Sequence, residues 1–349
     1  MISPQTTSAA ITDPGRAAQV LERFRQPIEE SLQRALSDRG VPLYEMLRYH
    51  LGLDGGSPVQ GKALRPTLCL LVCQALGGDW TKALPAAASI ELVHNFSLIH
   101  DDIQDEDRER RHRPTIWSKW GVPQAINAGD AMFCLANLTL HDLRPLCGDA
   151  LVVEVLDVLQ EATREMIEGQ YLDVSYENTP EISLDAYFDM IGRKTGALLR
   201  ASVEIGALLA GTDATVRQRC RQFGEAIGRL FQIRDDMLGV WGESDTTGKP
   251  ADSDIRRRKK SLPIVAALSY GSPEVREELL TIYAGQEVAD AQIVRVLQLF
   301  ADLSVRERVQ VMADEAYQRA MALAGEIAFT PGGRSDLEAL ASFLLERDR

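Results

Sequence analysis

The sequence predicts an all-α fold, a single-domain helical bundle. Apolar residues recur with the helical period through most of the chain, and no segment alternates as a strand does. No repeat of roughly 20–50 residues divides the chain into arrays. Two apolar helical runs end in paired aspartates, and a bundle of this size can hold a cavity into which facing helices project polar groups.

Taken in order, residues 1–15 are small and polar with Pro4 and Pro14, a composition expected to be disordered, and the domain spans 16–349. An amphipathic pattern over 15–37 predicts a first helix, bent at Pro27. Residues 54–58 read as a loop leading to Gly61, Lys62 and Arg65, after which Pro66 opens a helix to about Leu76. A helix over 80–105 carries the first acidic motif, and 106–121 follow as a charged turn. Helices are expected over 123–143, 150–177 and 184–210, the last two separated by Asn178, Thr179 and Pro180. Gly192, Gly196, Gly206 and Gly211 interrupt the third without ending its period, at a cost of roughly 1 kcal/mol each against alanine, so they mark close packing or a kink. Residues 217–240 carry the second acidic motif, 243–254 a loop. Short amphipathic helices then lead to longer ones over 304–326 and 334–347.

With 45% hydrophobic and 26% charged residues, the composition is that of an ordinary globular protein. A net charge of −13 argues against a nucleic-acid partner, and admits an anionic substrate only where cations are local or supplied by metal. No apolar run reaches the ~18 residues that span a bilayer, and the N-terminus lacks a signal pattern, so a cytoplasmic location is expected. Cys69, Cys73, Cys134, Cys147 and Cys220 lack a zinc-binding spacing and read as reduced core residues.

The chemistry lies in residues 89–115. Asp101 and Asp105 are four apart and share a helix face, with His94 two turns before Asp101 and Asp102 beside it. Like charges so placed call for a cation between them, and oxygen ligands suit Mg²⁺. Arg108, Arg110, Arg111 and Arg113 follow, with forks that match phosphate. Alone, the motif reads equally as a solvated acidic helix end. A second copy decides between them: Asp235 and Asp236 end another apolar run, followed by Lys249 and the basic run 256–260.

The sequence resembles the trans-isoprenyl diphosphate synthases of the polyprenyl synthetase family from about Gly61 to Pro263. The resemblance rests on GKALRP at 61–66, ELVHNFSLIHDDIQD at 91–105, RRHRPT at 110–115, AGDA at 128–131, EGQYLD at 168–173, KTGALL at 194–199, FQIRDD at 231–236 and KKSLP at 259–263, in that order. It implies an isoprenoid-synthase-type bundle around a central cavity, a homodimer, and condensation of isopentenyl diphosphate with an allylic diphosphate. It also implies about three Mg²⁺ ions, with Mn²⁺ as a substitute. Asp101 and Asp105 match the ligands of two ions, supported by Asp102; Asp235 matches the ligand of a third, with Asp236 behind it. Arg110, Lys194, Lys249 and Lys259 match groups on the allylic diphosphate, and Lys62, Arg65, His94 and Arg111 match the isopentenyl-diphosphate site. Thr195 and Gln232 match residues beside the nascent cation, and Gln170 and Asp173 line the pocket in relatives. His100 has no derivable role and reads as a packing residue.

Three positions depart from the family pattern. Gly239 stands where most relatives carry a third aspartate, Trp117 replaces a histidine, and Arg258 replaces a glycine before the lysine of the closing loop. A class I terpene cyclase would lack the isopentenyl-diphosphate residues, and a non-catalytic regulatory subunit would lack the aspartates; this sequence keeps both sets. Product length rests on Phe96 and Ser97, five and four residues before Asp101. An aromatic followed by a small residue, with no insertion in DDIQD, resembles C20-forming relatives. The expected product is geranylgeranyl diphosphate, with farnesyl diphosphate as the alternative.

Overall fold

The computed structural model describes residues 14–37, 39–55, 63–242, 252–285 and 288–346. Lys62, Lys249 and residues 1–13 of the expected tail lie outside them. Pro14, expected in that tail, instead opens the first helix, one residue before the predicted start at Gly15. The fold is all-α, and the described strands are two residues long each.

In chain order the helices are α1 (Pro14–Ala35), α2 (Leu43–Leu51), α3 (Leu64–Ala75) and, after a 3₁₀ turn, α4 (Leu84–Gln104). A hairpin of β1 (Glu109–Arg110) and β2 (Arg113–Pro114) leads to α5 (Ile116–Trp120), α6 (Val122–Thr139), α7 (Arg144–Cys147) and α8 (Asp149–Glu177). Then come α9 (Leu184–Ile191), a π turn over Gly192–Gly196, α10 (Ala197–Leu209) and α11 (Ala214–Trp241). The chain closes with α12 (Ser253–Arg256), α13 (Leu262–Tyr270), α14 (Pro273–Ala284), α15 (Asp290–Asp302), α16 (Val305–Glu326) and α17 (Pro331–Leu345).

The helical period explains the packing. In α1, Ala17, Val20, Phe24, Ile28 and Leu32 fall on one face and are buried, each larger side chain contributing roughly 1.5–3 kcal/mol. Pro27 lies within this helix. In α10, Ala197 to Leu199 and Ala201 to Val203 are all buried, so this helix is enclosed on every side, packed by α3, α8 and α11. α4 packs against α6, and α11 against α16. One continuous apolar core runs from Ala17 to Leu344.

Two elements differ from the periodicity. The helix predicted over 184–210 is broken by the π turn, where Gly192 and Gly196 fall, so the glycines do mark an irregularity. The charged turn at 106–121 contains the hairpin, whose two-residue loop, Arg111 and His112, has φ of 53° and 60°. Both residues sit in the left-handed region, the pattern of a type I′ turn, without the glycine or asparagine that usually occupies it.

Candidate active site

α4 delivers the first aspartates to two environments. Asp102 is 1% exposed and accepts a 2.7 Å hydrogen bond from Arg110 Nε. Burial pushes its carboxyl up to about 6, against the pull of Arg110. Asp101 is half-buried, its Oδ1 3.7 Å from Lys194 Nζ. Asp105 caps the helix at its exposed end, where desolvation and then the Asp101 charge push its carboxyl up to about 6.

Lys194 comes from the π turn. Its Nζ donates to Asp173 Oδ2 at 2.5 Å, and Asp173 reaches it because α8 passes close by at Gly169. A Cβ at 169 would lie 2.2 Å from the Lys194 backbone nitrogen, so any side chain there would force the two apart. Burial lowers the Lys194 pKa, but Asp101 and Asp173 outweigh it and leave a net rise.

The same turn reaches the second motif on α11. Thr195 Oγ1 donates to Gln232 Oε1 at 2.7 Å, and Gln232 Nε2 donates to Asp236 Oδ1 at 2.8 Å. Asp236 Oδ2 accepts from the Tyr187 hydroxyl at 2.5 Å and from the Leu262 backbone N–H at 2.6 Å. Asp236 is thus buried and held on both oxygens, and burial pushes it up to about 6 against Lys259. Asp235, one residue earlier, is exposed. Lys259 is raised first by Asp254, against burial, and then by Asp236, Asp173 and Asp235.

A third group gathers at the start of α3 and the middle of α4. Arg65 Nη1 lies 3.2 Å from His94 Nε2. Burial, then Arg65, Arg111 and Arg110, hold His94 well below its usual range, so its imidazole is neutral. Arg65 falls to about 10 through burial, and Arg111 is lowered by the same cause. The periodicity passed over three neighbours. Asn95 Nδ2 donates to Glu91 Oε1 at 2.9 Å, and His50 is lowered to about 3 by burial and by Arg110 and Arg111. Arg65 Nε and Asp102 Oδ2 are sealed from solvent without a hydrogen-bond partner. Buried polar atoms left unpaired cost stability, which suits a site shaped for something other than folding.

Below the aspartates, Phe96 is 6% exposed, its ring 5.1 Å from Phe133 of α6 and 5.9 Å from His100. Ser97 Oγ donates to the His94 carbonyl at 2.7 Å, and Gln170 Nε2 donates to Gln104 Oε1 at 2.7 Å. His100 stands over Gly129, its Nε2 3.5 Å from the Ile126 carbonyl oxygen and 3.8 Å from Asp130 Oδ1.

Among the described residues no three His, Cys, Asp or Glu side chains converge to hold a metal ion. The donor set still fits Mg²⁺, which takes one or two carboxylates and fills its shell with water and phosphate oxygens. No helix of the described residues is long and apolar enough to cross a membrane.

The model of the polyprenyl synthetase family matches residues 43–300, most of the chain. The chain belongs to the polyprenyl synthetase family. It is similar to a (2E,6E)-farnesyl diphosphate synthase of Mycobacterium tuberculosis, 38% identical over 355 residues that cover 99% of this chain and 97% of the relative. A geranylgeranyl diphosphate synthase of the same species is 36% identical, covering 96% and 95%. Among solved structures, a polyprenyl synthetase from Streptomyces coelicolor superposes with a TM-score of 0.86 at 35% identity, covering 94% of this chain and 99% of that one. This polyprenyl synthetase is a prenyltransferase that elongates prenyl chains.

Its departures from the family pattern have structural counterparts. Trp117 Nε1 donates to the Asp107 carbonyl at 2.8 Å and ties down the turn after the first motif. Arg258 has a φ of 55°, in the left-handed region that favours glycine, and its guanidinium donates to the Gly285 carbonyl. Asp107 also pairs with Arg257, which joins this turn to the segment that carries Lys259.

Proposed function

We propose that this polyprenyl synthetase condenses isopentenyl diphosphate with an allylic diphosphate, using Mg²⁺, and forms geranylgeranyl diphosphate. One observation carries the reading. Lys194 Nζ stands 2.5 Å from Asp173 Oδ2 and 3.7 Å from Asp101 Oδ1, while Lys259 feels Asp254 first and then Asp236, Asp173 and Asp235 of the second acidic end. Cations enclosed by carboxylates at the mouth of an apolar bundle suit a metal-bridged diphosphate with its hydrocarbon tail below.

Asp101 and Asp105 would hold two ions and Asp235 a third. Bound Mg²⁺ supplies charge neutralisation and orientation for the leaving diphosphate. Arg110, Lys194, Lys249 and Lys259 grip that group. Lys62, Arg65, His94 and Arg111 hold isopentenyl diphosphate, and the arginines that keep His94 neutral are the charges that would meet its phosphates. The carbon–oxygen bond of the allylic diphosphate breaks, and the double bond of isopentenyl diphosphate attacks the resulting cation. A proton then passes to the departed diphosphate. Thr195 and Gln232 present oxygen beside that cation, while Gln170 and Asp173 line the approach. Water must be excluded while the cation exists.

Phe96, backed by Phe133, supports a floor at C20 depth, with Ser97 small enough to leave the well open. The farnesyl name borne by a 38% identical relative supports C15 as the second reading. Exposed Val153, Ile167 and Tyr171 share one face of α8, an apolar stripe that a second copy would cover. Purified protein incubated with Mg²⁺, isopentenyl diphosphate and each allylic starter tests the proposal. A C20 alcohol after dephosphorylation is expected, and no condensation with any starter would overturn it.

A further inference from the structure

The hairpin that carries Arg110 and Arg111 is too short to hold its own shape. Each strand has two residues, and an isolated pair of strands is at best marginal in water. Its loop adds to the difficulty, since Arg111 and His112 both have positive φ and neither is glycine. The last turn of α2 supplies what the hairpin lacks. The Tyr49 hydroxyl donates to the Pro114 carbonyl of β2 at 2.9 Å. The centre of the Tyr49 ring lies 4.0 Å from the Arg113 guanidinium carbon and 4.1 Å from Lys119 Nζ, and the Trp120 ring meets it edge-on at 5.0 Å. Just beyond α2, Asp54 Oδ2 accepts from Arg113 Nη2 at 2.6 Å. The two arginines of the hairpin depend on this grip unequally. Arg110 has an anchor of its own in Asp102, at 2.7 Å. Arg111 is exposed in the turn itself and makes no ion pair among the described residues. Its direction is set by the backbone, and the backbone is held by Tyr49.

We infer that Tyr49 is a positioning residue for the isopentenyl-diphosphate site: it clamps β2 so that the turn presents Arg111 to that diphosphate. This rests on the elongation reading above. Because Asp102 holds Arg110 independently, loss of the clamp falls on isopentenyl diphosphate and spares the allylic substrate.

The test compares Tyr49→Leu, Tyr49→Phe, and Tyr49→Leu combined with His112→Gly. Steady-state kinetics for each substrate, thermal melting, and hydrogen exchange over residues 108–116 are measured for each. Tyr49→Leu removes two cation contacts and should raise KM for isopentenyl diphosphate roughly 5–30-fold, with kcat and the allylic KM within about 3-fold of wild type. The Thr115 amide, which donates to the Arg108 carbonyl at 2.9 Å, should exchange faster. Tyr49→Phe keeps the ring and loses one hydrogen bond, so its KM should stay within about 5-fold of wild type. Adding His112→Gly supplies the residue that a type I′ turn prefers and should restore most of the affinity lost in Tyr49→Leu. Wild-type hairpin exchange in Tyr49→Leu, an unchanged KM for isopentenyl diphosphate, or an equal rise in both KM values would overturn the clamp. If wild-type protein condensed no substrate, the elongation reading would fall, while the exchange series would still decide whether Tyr49 holds the hairpin.

Discussion

The rings of Phe96 and Phe133 stand 5.1 Å apart at 55°, one carried by α4 and the other by α6. A floor built on two helices yields only when one ring is removed. Phe96→Ala should lengthen products beyond C20, and Ser97→Phe should shorten them toward C15. Phe133→Ala should lengthen them less, since Phe96 stays in place. Chromatography of the dephosphorylated alcohols reads the outcome, and an unchanged length in all three variants would place the floor elsewhere.

The aspartates divide by burial. Asp235 is exposed and Asp101 half-buried, so Asp101→Ala or Asp235→Ala should cut turnover by orders of magnitude with Tm almost unchanged. Asp102→Ala strands Arg110 beside a buried gap and should also destabilise the fold, toward the low end of the roughly 3–5 kcal/mol for broken buried pairs. Circular dichroism melts beside Mg²⁺-saturated assays separate the two classes. Near-wild-type turnover in Asp101→Ala would refute the metal role.

His50 should make the fold sensitive to acid. In the folded protein it stays neutral down to about pH 3, whereas in the unfolded chain it takes a proton near 6.5. Its contribution is therefore complete above 6.5 and is lost as pH falls, by up to about 2 kcal/mol between 6.5 and 5. The high pKa values of Asp102, Asp105 and Asp236 work in the opposite direction but are common to wild type and a His50→Asn variant. Urea unfolding at pH 7.5 and 5.0 should show the smaller acid loss in His50→Asn. Equal losses would contradict the assignment.

Arg258 occupies a left-handed backbone. Arg258→Gly should therefore keep near-wild-type stability and activity. Arg258→Val should cost roughly 1–3 kcal/mol, because a branched side chain resists positive φ. A valine variant that melts with wild type would show that the segment relaxes to another conformation.

Much of this was legible in the sequence for definite reasons. The long helices follow from apolar spacing, and Asp101 and Asp105 share an end face because they are four apart. The inward turn of Asp102 follows from the same period, since one residue is about 100° of helix. The hairpin was hidden because Arg111 and His112 carry no turn signal. His50 and Tyr187 were hidden because the groups they meet lie far along the chain, and the Glu91–Asn95 pair, though only four residues apart, gave no sign that Arg65 and Arg111 would face it. Asp254 was read as part of a loop, and only the packing of α12 on α11 brings it to Gly239. The places of Lys62 and Lys249 lie outside the described residues.

The π turn over Gly192–Gly196 amounts to one residue more than an α-helix would use between α9 and α10. Deleting a single residue there would leave a smooth, well-formed helix and still dismantle the centre. Everything on its N-terminal side would rotate by about 100° relative to α10. Tyr187 would swing away from Asp236, and Lys194 and Thr195 could no longer serve Asp173 and Gln232 at once. Length at this point is thus under a constraint that composition is not: substitutions on the turn's outer side can accumulate, whereas a one-codon loss cannot be absorbed.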